Sequence, residues 1–286
     1  MNPMREFFDL RLSEEKAKRF LLPSVGKIFS VTRKLELTPD DPLFEHIGQI
    51  DKELRDNGDE GLLWFWTSHR KYTQKEIAQA ELFHLRIDVL RSEVDGVTYG
   101  TIYDESATCR HCGVGRQQLS NLILDLAKLP KNKEIARTIA NEWLVSDRLA
   151  KLIKSQGVTG VDLLPVKHAR TSKKPLAKWY QLIVNGRSVP MLPSMRFGIN
   201  PFNEDASGQY RCPLGHVAGL NVLSEIFVSR QDWDGLDLTN TTQSVGYRPK
   251  EGLFVPTPLL VISPKFYQLL KIGKIRGYTA EIAHLT

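Results

Sequence analysis

The sequence predicts an α+β fold, with two related strand-helix-strand units following a mixed N-terminal region. Two segments share one grammar: "EWLVSDRLAKLIKSQGVTGVDLLPV", residues 142–166, and "LLVISPKFYQLLKIGKIRGYTAEIAHL", residues 259–285. Ahead of each stands a close pair of soft donors, Cys109 with Cys112 and Cys212 with His216. The expected organisation is an N-terminal α+β region over 1–100, a first unit over 101–168 and a second over 175–286.

In the N-terminal region, "MREFFDLRL" reads as an opening strand, "FEHIGQIDKELRDNGDEG" as a helix ended by turn residues, and "LLWFWTS" as a buried strand. Trp64 and Trp66 are expected in the core. Thr73 followed by Glu76 forms a capping box ahead of the short helix "QKEIAQA", and the alternating "LFHLRIDV" follows as a strand.

The pattern is sharper from residue 142. Ser146 is the expected N-cap of "DRLAKLIKSQ", with Leu149, Leu152 and Ile153 on one face and Gly157 at the exit. Ser263 plays the same part for "PKFYQLLKI", where Pro264 takes the first helical position and Phe266, Leu269 and Leu270 form the buried stripe. A shift of 117 residues superposes Ser146 on Ser263, Arg148 on Lys265, Leu152 on Leu269 and Gly160 on Gly277. Agreement in caps, stripe and glycines favours an internal duplication. The basic stretch "KHARTSKK", residues 167–174, reads as a solvated linker with His168 exposed.

In "ATCRHCGVGRQ" two thiols bracket two residues, and a duplication predicts a counterpart upstream of the second unit. "QYRCPLGHVAG" supplies it in altered form, so that Cys109, Cys112, Cys212 and His216 make a Cys3His set, a closed coordination suited to structural zinc. Gly113 and Gly215 can take the positive φ that such a knuckle needs to turn its amides toward sulfur. His111 lies inside the first knuckle as a competing ligand. Three buried free thiols are the alternative, and a thioredoxin-like redox pair fits less well, because no amphipathic helix starts at the cysteines.

Three cysteines, an odd count, suit a reducing compartment. No run reaches the length of a membrane span and the opening residues lack the regions of a signal peptide, so a cytoplasmic protein is expected. The 39 basic residues set against 33 acidic ones give a net charge of +6, which permits nucleic acid as a partner without favouring it. No Walker loop, GxSxG elbow, HExxH helix, dinucleotide fingerprint or deaminase signature occurs. Ser13 and Lys16 match only the bare SxxK spacing, and three thiolates with an imidazole saturate zinc. A protein other than an enzyme is expected.

On "CRHCG", "CPLGH", "FVSRQDWDG" and the strand-helix-strand run from Trp143, the chain resembles the double-CXXCG motif proteins best known from myxobacteria, which are similar to immunity proteins of bacterial polymorphic toxin systems. The likeness covers residues from about 105 onward. Cys109, Cys112 and Gly113 match the family knuckle directly; at the second knuckle His216 replaces a cysteine, with one more residue in the spacing. The resemblance implies a protein that binds and blocks a cognate toxin, on a scaffold held by structural zinc. In the loop "SRQDWDGLDLTNTTQSVGYRPKEG", Trp233 between Asp232 and Asp234 is the candidate partner-binding anchor, closure of the core over the knuckle being its competing role. The alternative function is a zinc-containing nucleic-acid-binding regulator.

Overall fold

The computed structural model describes residues 5–90, 94–170, 178–246 and 256–286. Among these the fold is mixed α+β and mostly strand, with five α-helices. The chain divides into two units, Met1–Gln79 with Gly198–Glu204, and Ala80–Phe197 with Asp205–Thr286.

The first unit runs β1 (Arg5–Ser13), α1 (Glu14–Ala17), β2 (Lys27–Phe29), β3 (Thr32–Leu37), α2 (Pro42–Asp56), β4 (Leu63–Lys71) and α3 (Gln74–Gln79). Its strands form an antiparallel sheet in the order β2-β3-β1-β4. Alternation turns Phe8, Leu10 and Leu12 of β1 and Leu35 and Leu37 of β3 to one face, where they pack with Ile47 and Ile50 of α2. The Asp41 carboxylate starts that helix by accepting from the Leu43 amide at 2.9 Å, with Pro42 behind it. Gly48 leaves room for Phe202, whose ring a Cβ there would meet at 2.7 Å. The box at Thr73 forms as expected: the Glu76 amide donates to its hydroxyl at 3.2 Å and its own amide to the Glu76 carboxylate at 2.6 Å.

Trp66 joins this core, but Trp64 is 49% exposed. The register explains the difference: Arg11 opposes Phe65 and Leu12 opposes Leu63, so Trp64 is the extra residue of a bulge and loses the inward position that alternation assigns it.

The second unit begins with β5 (Leu82–Ile87), β6 (Tyr103–Asp104), β7 (Gln117–Gln118), β8 (Ile123–Leu124) and β9 (Ile135–Arg137). The first strand-helix-strand follows as β10 (Trp143–Ser146), α4 (Asp147–Ser155) and β11 (Val161–Pro165), then β12 (Lys167–His168) and β13 (Trp179–Val184). The short β14 (Phe197–Asn200) and β15 (Asn203–Glu204) fall almost wholly in the segment Gly198–Glu204 of the first unit, and the second resumes with β16 (Asn221–Val222), β17 (Ile226–Val228) and β18 (Leu238–Val245). The second strand-helix-strand closes the unit as β19 (Thr257–Ile262), α5 (Pro264–Ile272) and β20 (Tyr278–Leu285). Both serine caps form: Ser146 Oγ accepts from the Leu149 amide and Ser263 Oγ from the Phe266 amide, each at 3.2 Å.

Neither returning strand pairs with the strand that precedes its helix. β13 lies between β10 and β11, antiparallel to both, and β5 lies likewise between β19 and β20. The outer neighbours correspond too, β9 beside β10 and β18 beside β19. Contacts across the two sheets are reciprocal. Glu134 accepts from the Arg276 amide at 2.9 Å and the Arg148 guanidinium at 3.3 Å; Asp237 accepts from the Thr159 amide at 2.9 Å and the Lys265 ammonium at 3.0 Å. At Gly277 a Cβ would come 1.9 Å from the Ile135 carbonyl oxygen, and at Gly160 it would come 2.2 Å from that of Leu238.

Three further sequence expectations are corrected. His168 is only half-buried rather than exposed, because β12 pairs in parallel with β8 and its Nδ1 accepts from the Leu126 amide at 3.2 Å. The long loop after Val228 contains β18, whose "LTNTTQSV" is rich enough in β-branched residues to hold an eight-residue strand against β19. Leu269 is half-buried, and Tyr267 joins Phe266 and Leu270 in the buried stripe of α5. The linker residues 171–174 and the loop residues 247–252 lie outside the described residues.

Candidate metal centre

Each knuckle is a tight turn built by its own backbone. The Gly113 amide donates to the Cys109 carbonyl at 2.7 Å and the Cys109 amide to Val114 at 2.7 Å; the Gly215 amide donates to Cys212 at 2.8 Å and the Cys212 amide to His216 at 3.1 Å. Gly113 and Gly215 sit at φ 76° and 79°, the left-handed region that a glycine enters without cost. The buried Asp205 carboxylate anchors the approach to the second knuckle, accepting from the Tyr210 amide at 2.8 Å and the Arg211 guanidinium at 3.0 Å.

These turns bring the donor atoms of Cys109, Cys112, Cys212 and His216 within 4.8 Å of one another. His216 Nδ1 lies 3.3 Å from both Cys112 Sγ and Cys212 Sγ. Tetrahedral Zn–S and Zn–N bonds place donors roughly 3.6 Å apart, so the set needs only small adjustment to hold one ion. All four side chains are half-buried, and none of the cysteines forms a disulfide. His111 is exposed, with Nε2 3.4 Å from the Arg110 guanidinium, and does not join them.

The two thiols of the first knuckle differ electrostatically. Amides of His111 and Cys112 directed at its sulfur hold Cys109 down to about 6, while burial pushes Cys112 up to about 12. Crowded sulfur donors cannot all ionise unaided, and a divalent cation removes that conflict.

The candidate anchor takes a mixed position. The Trp233 ring packs against the cluster that includes Val217, next to His216, and its indole N–H is buried without a hydrogen-bond partner among the described residues. Asp234 accepts from the Arg187 amide at 2.9 Å and the Leu236 amide at 3.1 Å, while Asp232 pairs with the Arg187 guanidinium at 3.6 Å. Lys16 is held by Asp59 and by the Gly61 carbonyl at 3.1 Å, so the SxxK spacing acquires another use.

The second unit also holds a buried polar group that sequence spacing does not reveal. The Glu142 carboxyl, buried between strands, accepts from the Gly96 amide at 3.2 Å and from the hydroxyls of Tyr103 and Thr138. The Arg116 guanidinium lies 3.6 Å from the centre of the Tyr103 ring. With Gln118 and Gln181, which exchange amide hydrogen bonds at 3.0 and 2.7 Å, these residues border a cavity of about 330 Å³. Among the described residues no helix is long and apolar enough to cross a membrane. No protein-family model matches the chain, and a search of curated proteins returns no match.

Proposed function

We propose that the four-donor cluster holds one structural zinc ion, and that the chain is an immunity-type protein that binds and neutralises a cognate bacterial toxin in the cytoplasm. The observation that carries the metal is the convergence of three sulfurs and one imidazole nitrogen within 4.8 Å. Such a soft set suits zinc, and four protein donors leave the ion without an open position for water, which favours a structural over a catalytic role. The resemblance at "CRHCG" and "CPLGH" supports the immunity part.

We further infer that residues 82–285 are two copies of one unit that have exchanged their leading strands, β5 completing the sheet of the second copy and β13 that of the first. The equivalent hydrogen bonds made by Glu134 to Arg276 and by Asp237 to Thr159, and the matching close approaches of Gly277 to Ile135 and of Gly160 to Leu238, support this reading. The zinc would then bridge the copies, taking two ligands from each.

Two experiments test these readings separately. Metal analysis of protein purified without added zinc is expected to find close to one zinc per chain, and a stable metal-free protein would remove the metal. Co-expression with the toxin-like product of a neighbouring gene is expected to restore growth and to co-purify both chains. No rescue from an active toxin by folded protein would remove the immunity function and leave the zinc scaffold intact.

A further inference from the structure

The N-terminal unit covers one face of its sheet with α2, and strand register arranges the side chains of the opposite face in rows. Lys27 stands across from Lys34, Lys34 across from Arg11, and Arg11 across from Phe65. Three cations on adjacent strands therefore share one row, which ends on an aromatic ring that is 51% exposed. Like charges directly opposed on a sheet lower its stability. Asp9 gives part of the compensation, 3.4 Å from Lys34.

The rings around this row are solvent-facing as well. Phe29, 58% exposed, opposes Thr32 one row outward, and the Arg11 guanidinium lies 5.3 Å from the centre of the Phe65 ring. Toward the other end of the sheet Phe7 stacks on His69 at 5.3 Å, with the Lys71 ammonium 4.1 Å from the Phe7 ring centre. A modest overall charge of +6 conceals this local concentration. An acidic peptide would answer the cations alone. A nucleic-acid strand brings both a charged backbone and flat bases that stack on exposed rings.

We propose that this open sheet face binds single-stranded nucleic acid, with phosphates lying along Lys27, Lys34 and Arg11 and a base stacking on Phe65. A duplex offers the phosphates but keeps its bases stacked inside, so the aromatic side chains distinguish the two. The site lies apart from the four-donor cluster in sequence and does not depend on the immunity reading.

The test is fluorescence anisotropy of the full chain with labelled oligo(dT) and oligo(U) of about twelve nucleotides and a duplex of equal length, at salt from about 50 to 200 mM. Single strands are expected to bind more tightly than duplex, with affinity falling by a log-log slope of about 0.7 per phosphate neutralised. Phe65→Ala is expected to weaken binding about tenfold with the slope unchanged. Lys27→Glu combined with Lys34→Glu should weaken binding and flatten the slope. These side chains are exposed, so the variants should melt like the parent by circular dichroism. The proposal is overturned by no complex at low salt, by equal affinity for duplex, or by binding indifferent to these substitutions. Displacement by poly-glutamate with equal strength in parent and Phe65→Ala would assign the face to an acidic protein instead.

Discussion

Cys109 and Cys112 stand three residues apart in opposite surroundings, and the difference is measurable. In metal-free protein the Cys109 thiol, lowered by the amides directed at it, should ionise before the buried Cys112 thiol, so iodoacetamide should modify Cys109 first. Zinc should protect both; equal labelling rates in peptide mass spectra would contradict the assignment. Glu142 makes a second prediction, because burial raises its carboxyl above the ordinary range despite the hydroxyls that donate to it. A raised folded value means that its stabilising contribution is full below the ordinary carboxylate pKa and is lost as pH climbs through the folded one. Glu142→Gln should flatten that decline, read as the urea midpoint from about pH 4 upward, and an unchanged slope would reject it. The four clustered donors were legible because knuckle spacing is local. Glu142, Arg116 and Asp205 were not, since what distinguishes them is burial beside partners, several of them distant in the chain.

Capping chemistry made the helices readable: Ser146, Ser263 and the Thr73–Glu76 pair each settle a boundary with atoms no more than three residues away. Strand partners lacked such a signal. Nothing in "LFHLRIDV" states that β5 will lie between two strands from the far end of the chain, and the bulge at Trp64 overturned alternation for one residue. The glycines that open the returning strands carry the clearest test of this packing. Gly277→Ala combines φ +111° with a carbonyl oxygen 1.9 Å away, and should cost more than about 2 kcal/mol. Gly157→Ala is the control, at φ +55° with nothing within 4 Å, and should cost only about 1 kcal/mol. Equal shifts in the denaturation midpoint would show that the close approach is not what constrains Gly277.

At the scale of the molecule, the four donors join two knuckles remote in the chain, Cys112 and His216 being 104 residues apart. By the entropic account of a cross-link of that span, ligation would contribute on the order of 4 kcal/mol. Removing the ion with a chelator should then lower the melting temperature by about ten degrees in calorimetry. An unchanged melting temperature, with metal loss verified, would show that the two knuckles are held together without it. Strand and helix patterning pointed to the mixed α+β class, yet an average charge conceals how cations are arranged on a single sheet.

The interleaving of β5 with β19 and β20 also sets a timetable for synthesis. The Arg86–Glu281 ion pair, part of that interleaving, joins residues 195 positions apart. At ribosomal speeds of about 5–20 residues per second, β5 would emerge roughly ten to forty seconds before its neighbours exist. For that interval its pairing edges stay open while β10, α4 and β11 wait for β13. The nascent chain therefore passes through a stage rich in unpaired strands, where chaperone capture and premature self-association compete most directly with the fold.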